Sequence, residues 1–297
     1  MSLLFTGSGV ALVTPFLPSG EINYVVLSQL IEWHILNKTD ALILAGTTGE
    51  AATLSLEEKR SLFSYSVKVA NKRIHICAGT GTNNTSASIE LSLIAQEAGV
   101  DSLLLVTPFY NKPTQRGMYA HFEAIASRVQ IPIILYNVPS RTSVNLLPET
   151  VAALSKIPNI RAIKEASADI SQIAKVFELC GNEFIVYSGN DDQTFAIMAL
   201  GGKGVISVSA NIAPLAVSNQ VHLFLNGLIQ EAKQLGNVLR PLHDIMFIET
   251  NPVPVKQALQ LMGTEVGEVR LPLVSLEEKN FVKLQTVIND YQQRGIL

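Results

Sequence analysis

Short runs of consecutive apolar residues recur along the chain, and between them apolar positions return with helical spacing. The runs are "GVALVTPF" from Gly9, "ALILAG" from Ala41, "HICAGTG" from His75 and "SLLLVTP" from Ser102. Four more follow: "PIILYNV" from Pro132, "RAIKEA" from Arg161, "FIVYSG" from Phe184 and "GVISVS" from Gly204. Near-continuous apolar character is what a parallel strand covered on both faces requires. The intervening segments predict amphipathic helices. Val26, Leu27, Leu30, Ile31 and Ile35 share one face, after an acidic start at Glu21. Ser55 and Glu58 have the spacing of a capping box, and Gly99 stands where a helix should end.

Eight such units, at intervals of roughly 20–35 residues, predict an α/β fold: a (β/α)8 TIM barrel over residues 1–227. Period alone also fits a doubly wound open sheet. No G-x-G-x-x-G follows the first strand and no turn spells a P-loop, so neither a dinucleotide nor a nucleotide-phosphate site is expected. The glycines of "LGGKGVISV" precede a strand and read as a turn. After Asn226–Gly227 the apolar runs stop. "LIQEAKQLGNVLRPLHDIMF", "PVPVKQALQLMG" and "SLEEKNFVKLQTVINDYQQR" predict a C-terminal helical appendage over 228–297.

Composition narrows the class. The chain has 297 residues, 47% hydrophobic and 16% charged, enough apolar material for a large core. A net charge of −3 without basic clusters argues against nucleic acid. The longest apolar runs are too short for a membrane span, and "MSLLFTGSGV" lacks the features of a signal peptide, so a cytoplasmic location is expected. Two cysteines form no disulfide framework, and five scattered histidines show no metal-ligand spacing. No metal and no cofactor are expected.

In a barrel of this type, chemistry sits where strands end at their C-termini. Polar residues gather there: Thr47 and Thr48 in "GTTGEA", Tyr110 in "TPFYNKP", Tyr136 and Arg141 in "YNVPSRT", Lys164 in "RAIKEA", and "SGNDD" after the seventh run. Lys164 breaks an apolar pattern. Strand parity puts Ala162 and Lys164 on one face, and Ile134 and Tyr136 likewise. If both faces point inward, Lys164 and Tyr136 are neighbours on adjacent strands. Burial penalises an ammonium group and favours the neutral amine, the form that attacks a carbonyl. A strand-end ion pair of Lys164 with Glu165, or a solvated lysine, is the plainer alternative. Thr47, Thr48 and Glu50 could form only a cap and a turn, or a cradle for a carboxylate. Tyr110 could be a surface aromatic. Arg141 could pair with a helix carboxylate or capture one on a substrate. With the opposite parity, Glu165 should face the helices.

In combination, "GTTGE", "YNVPSRT" and "IKEAS" resemble the dihydrodipicolinate synthase family, of the pyruvate-dependent class I aldolase superfamily that includes N-acetylneuraminate lyase. The resemblance covers essentially the whole chain. It implies a lyase in which Lys164 forms a Schiff base with pyruvate and the derived enamine attacks L-aspartate 4-semialdehyde. It also implies that Tyr136, Thr47 and Tyr110 relay protons, with Tyr110 supplied by a neighbouring subunit of a homotetramer. Thr47 and Thr48 would hold the pyruvate carboxylate and Arg141 the semialdehyde carboxylate, while Gly189 and Ile206 would line the pocket with backbone carbonyls. The positions where lysine-inhibited members bind their effector read Leu56, Lys59, Ala87 and Phe109, with only Asn83 of the expected type. Weak or absent feedback by lysine is therefore expected. A 2-keto-3-deoxy sugar acid aldolase or sialic acid lyase would share Lys164 but has less use for Arg141. A non-catalytic ligand-sensing barrel would not need the lysine at all.

Overall fold

The structure, a computed structural model, describes residues 4–297; residues 1–3, the start of both the N-terminal stretch and the expected barrel segment, lie outside the described residues. Eight parallel strands close into a barrel in sequence order. They are β1 (Gly7–Ala11), β2 (Ala41–Leu44), β3 (His75–Gly79), β4 (Ser102–Val106), β5 (Ile133–Asn137), β6 (Ile160–Glu165), β7 (Ile185–Ser188) and β8 (Gly204–Ser207). The open-sheet alternative is thus excluded. The first strand starts two residues before the expected Gly9 and stops at Ala11. Beyond it the chain leaves the barrel, and the Phe16 N–H donates to the Val266 carbonyl in the C-terminal region at 2.9 Å.

Closure depends on a close backbone approach between β8 and β1. Gly204 has φ +149°, and a Cβ there would lie 1.8 Å from the Gly7 carbonyl oxygen. Any side chain would force the two strands apart.

Helices α1 (Tyr24–Leu36), α2 (Leu56–Ala70), α3 (Thr85–Glu97) and α4 (Gln115–Ala126) connect the first five strands. The short α5 (Pro139–Thr142) and α6 (Pro148–Leu154) follow β5, then come α7 (Ile170–Cys180), α8 (Thr194–Ala199) and α9 (Pro214–Leu225). Ser55 and Glu58 form the expected capping box, and Gly99 takes the left-handed conformation at φ +88°. Two apolar layers result. Outward strand residues such as Leu42, Leu103, Leu135 and Ile163 pack under the helices. Inward residues, among them Ala11, Ile43, Leu104, Ile134, Ala162 and Ile206, fill the barrel. The Phe5 ring stacks on Tyr187 at 4.4 Å, and the Tyr187 hydroxyl donates to the Phe5 carbonyl.

Three further helices, α10 (Ile229–Ile245), α11 (Val253–Leu261) and α12 (Glu278–Gln293), follow the last strand. No helix among the described residues is long and apolar enough to cross a membrane.

Candidate active site

Register decides the site. Tyr136 on β5 is the direct partner of Lys164 on β6, and Lys164 is the partner of Tyr187 on β7. All three side chains therefore point into the barrel. Lys164 is 5% exposed, and its Nζ lies 4.4 Å from the centre of the Tyr136 ring. It makes no ion pair with Glu165, whose carboxyl group lies on the other face of the sheet and bonds Asn137 and Ser167. The helix-facing reading of Glu165 holds. Burial pushes its carboxyl up to about 7, and Asp169 adds to that push against the bonds from Ser167 and Asn137.

Lys164 and Tyr136 open onto a cavity of about 560 Å³ at the strand ends, lined also by Thr47, Thr48, Arg141 and Gly189. The chain thus gathers six of the eight expected residues. Gly189 is there for a close approach: a Cβ would sit 2.9 Å from the Glu165 carbonyl oxygen, which accepts the Gly189 N–H at 2.7 Å. Ile206 lies in the interior cluster, and Val208 forms the cavity wall at that strand end. In "SGNDD", Asn190 lines the cavity while an Asp191 oxygen accepts the Val208 and Ser209 N–H groups at 3.0 and 3.1 Å. Tyr110 stands apart. It is 88% exposed, at φ +71°, and is not among the residues lining the cavity.

The C-terminal region supplies a wall that sequence reasoning missed. Phe247, Glu249, Thr250 and Asn251 cover part of the cavity mouth. The Asn251 amide donates to the Thr48 hydroxyl oxygen at 2.9 Å, leaving that hydroxyl proton free to donate elsewhere. The Arg141 guanidinium donates to the Asn251 carbonyl at 3.3 Å. The only cue in the sequence was the "TNPVP" break between two helical patterns.

Glu50, which closes "GTTGE", is neither a cap nor part of the cavity. It pairs with Lys256 of α11 at 2.9 Å, and its second oxygen accepts the Arg270 N–H at 2.8 Å. The Lys256 ammonium and the Arg270 guanidinium each lie against the Phe16 ring, 4.3 and 4.2 Å from its centre. The loop that carries Thr47 and Thr48 is therefore pinned to the C-terminal helices.

A second cavity of about 540 Å³ adjoins the first, sharing Thr47, Tyr136 and Arg141, and extends to Lys59 and Phe109. Burial pushes the Lys59 amine down. Leu56 begins α2 and Ala87 lies in the first turn of α3, so neither position supplies a carboxylate. The five histidines each bond a neighbour in the fold: His34 with Thr39, His75 with Ser102, His121 with Thr85, His222 with Asp40 and His243 with Ser209. Among the described residues, no three His, Cys, Asp or Glu side chains are grouped to hold a metal ion.

A sequence model of the dihydrodipicolinate synthetase family matches residues 4–291. The 4-hydroxy-tetrahydrodipicolinate synthase of Thermoanaerobacter sp. (strain X514) is 52% identical over 289 residues, covering 97% of each chain. Among solved structures, dihydrodipicolinate synthase from Aquifex aeolicus superposes with a TM-score of 0.95 at 44% identity, covering 97% of this chain and 98% of that one. The 4-hydroxy-tetrahydrodipicolinate synthase of Methylacidiphilum fumariolicum SolV gives a TM-score of 0.96 at 41% identity, covering 98% and 97%.

Proposed function

The chain belongs to the dihydrodipicolinate synthetase family, and on that premise we propose which residues carry its chemistry. The protein is a lyase of the Schiff-base aldolase type. It condenses pyruvate with L-aspartate 4-semialdehyde to 4-hydroxy-tetrahydrodipicolinate, a step of diaminopimelate and lysine biosynthesis.

Lys164 is the nucleophile in this reading. Its amine adds to the pyruvate ketone, and loss of water leaves an iminium. The iminium draws electrons from the adjacent C–H bond, a methyl proton leaves, and an enamine forms. The enamine carbon attacks the aldehyde, whose oxygen takes up a proton. The semialdehyde's amino group then attacks the iminium carbon, closes the ring and releases Lys164. One observation carries this assignment. A second buried lysine, Lys256, is neutralised by Glu50, whereas Lys164 faces an aromatic ring and an open cavity.

Tyr136, beside the nitrogen, is placed to move protons during carbinolamine collapse and imine release. Thr47 and Thr48 receive the pyruvate carboxylate, with the Thr48 hydroxyl set as donor by Asn251. Arg141, which also lines the cavity, receives the semialdehyde carboxylate. Gly189 and Ile206 contribute backbone to the pocket. The exposure of Tyr110 supports its role as the relay residue of a neighbouring subunit, in a cytoplasmic homotetramer whose dimers complete each site. Lysine feedback is weak or absent, because Lys59 and Ala87 offer an ammonium no counter-charge.

Borohydride reduction with pyruvate, followed by peptide mapping, tests the core assignment. The adduct is expected on Lys164; an adduct elsewhere, or none, overturns it.

A further inference from the structure

Glu165 occupies a position that the strand pattern reserves for an apolar side chain. Ile163 and Leu135, which share its outward face, are fully buried under the helices. Glu165 is buried to the same degree, yet it is ionisable. Such a group costs stability unless its oxygens are paired. Both are. The Asn137 amide donates to Oε1 at 2.6 Å, and the Ser167 hydroxyl donates to Oε2 at 2.6 Å. The same Asn137 amide donates to Asn145 at 2.9 Å, and Asn145 exchanges two hydrogen bonds with Gln172 of α7. Asp169, at the start of α7, is the ionisable group acting on this carboxyl.

The network lies directly behind the reacting pair. Asn137 follows Tyr136, Glu165 follows Lys164, and the two pairs are consecutive partners in the β5–β6 register. The Glu165 carbonyl also accepts the Gly189 N–H of the next strand end. We propose that Glu165 is a positioning residue: its carboxyl clasps Asn137 on the outer face of the sheet and thereby holds Tyr136 and Lys164 face to face on the inner one. This rests on Lys164 as the nucleophile. Ionised, the carboxylate makes a charge-assisted bond to Asn137; protonated, a weaker neutral one.

The test compares Glu165→Asp with Glu165→Gln in the full-length enzyme. It reads kcat, KM for pyruvate, the kcat–pH profile and the borohydride-trapped adduct. Asp is one methylene short of Asn137, so kcat is expected to fall by about 10- to 100-fold, as for a misplacement of about 1 Å, with KM for pyruvate little changed. Gln keeps an acceptor for Asn137 and a donor for Ser167. It should recover most of kcat and lose the component of the profile that titrates near pH 7. Wild-type kcat for the Asp variant would overturn the proposal. So would a Gln variant as impaired as Asp, or one whose pH profile superimposes on wild type. Should the Asp variant not fold, the near-isosteric Gln profile decides alone. Failure to trap Lys164 in the wild-type enzyme is a separate outcome and strikes the nucleophile assignment instead.

Discussion

Replacing Lys256 by Met should destabilise the protein far more than removing a typical surface charge. The side chains of Lys256 and Glu50 are 2% and 1% exposed and lie 2.9 Å apart. The ammonium also donates to the Glu268 carbonyl at 2.8 Å. Methionine fills similar volume against Phe16, so little cavity cost is added. What remains is Glu50, a buried carboxylate with the Arg270 N–H at 2.8 Å as its remaining donor. Breaking one side of a buried pair costs about 3–5 kcal/mol. With an unfolding entropy of about 2.1 cal/mol/K per residue, a chain of 297 residues should lose about 5–8 °C in Tm. Thermal melts and urea titrations measure this. The double variant Glu50→Leu/Lys256→Met removes both charges and should regain a large part of the loss, since the penalty lies in the uncompensated charge. Because Glu50 closes the loop of Thr47 and Thr48, the single variant should also raise KM for pyruvate. An unchanged Tm for Lys256→Met, or a double variant whose loss is the sum of the two singles, would refute the reasoning.

Tyr136→Phe keeps the ring against Lys164 and removes the proton-transferring hydroxyl. Its kcat should fall by about 10²- to 10⁴-fold while pyruvate is still trapped on Lys164 by borohydride. Arg141→Ala should raise KM for the semialdehyde by at least about tenfold, from a charged hydrogen bond worth about 1.5–3 kcal/mol, and leave trapping with pyruvate intact. Glu165 has a folded-state carboxyl raised from 4.5 to about 7. Its contribution to stability is therefore complete below pH 4.5 and lost as pH rises through 7. Over that window Glu165→Gln should gain on wild type by up to roughly 3 kcal/mol, visible in urea titrations across pH; equal pH dependence of the two proteins would contradict the raised value. L-Lysine added to the assay should leave activity largely unchanged, and half-inhibition below millimolar concentrations would sink the reading of Lys59 and Ala87.

Local rules account for what the sequence by itself determined. Apolar runs marked all eight strands, because burial on both faces leaves few polar positions within them. The capping box at Ser55 was legible because its partners are three residues apart. Parity put Lys164 on one face with Ala162, Tyr136 on one face with Ile134, and Glu165 on the face opposite Lys164, since alternation along a strand is a property of the backbone; only the closed barrel showed which face is inward. Closure, by contrast, needed β8 beside β1, where Gly7 and Gly204 meet from opposite ends of the barrel sequence. The pairing of Glu50 with Lys256 spans 206 residues, and that of Thr48 with Asn251 spans 203. No periodicity links residues so far apart. "GTTGE" therefore showed a loop with hydroxyls and an acid, and only tertiary packing divided the roles: the threonines toward the cavity, the glutamate into a buried ion pair beneath the C-terminal helices.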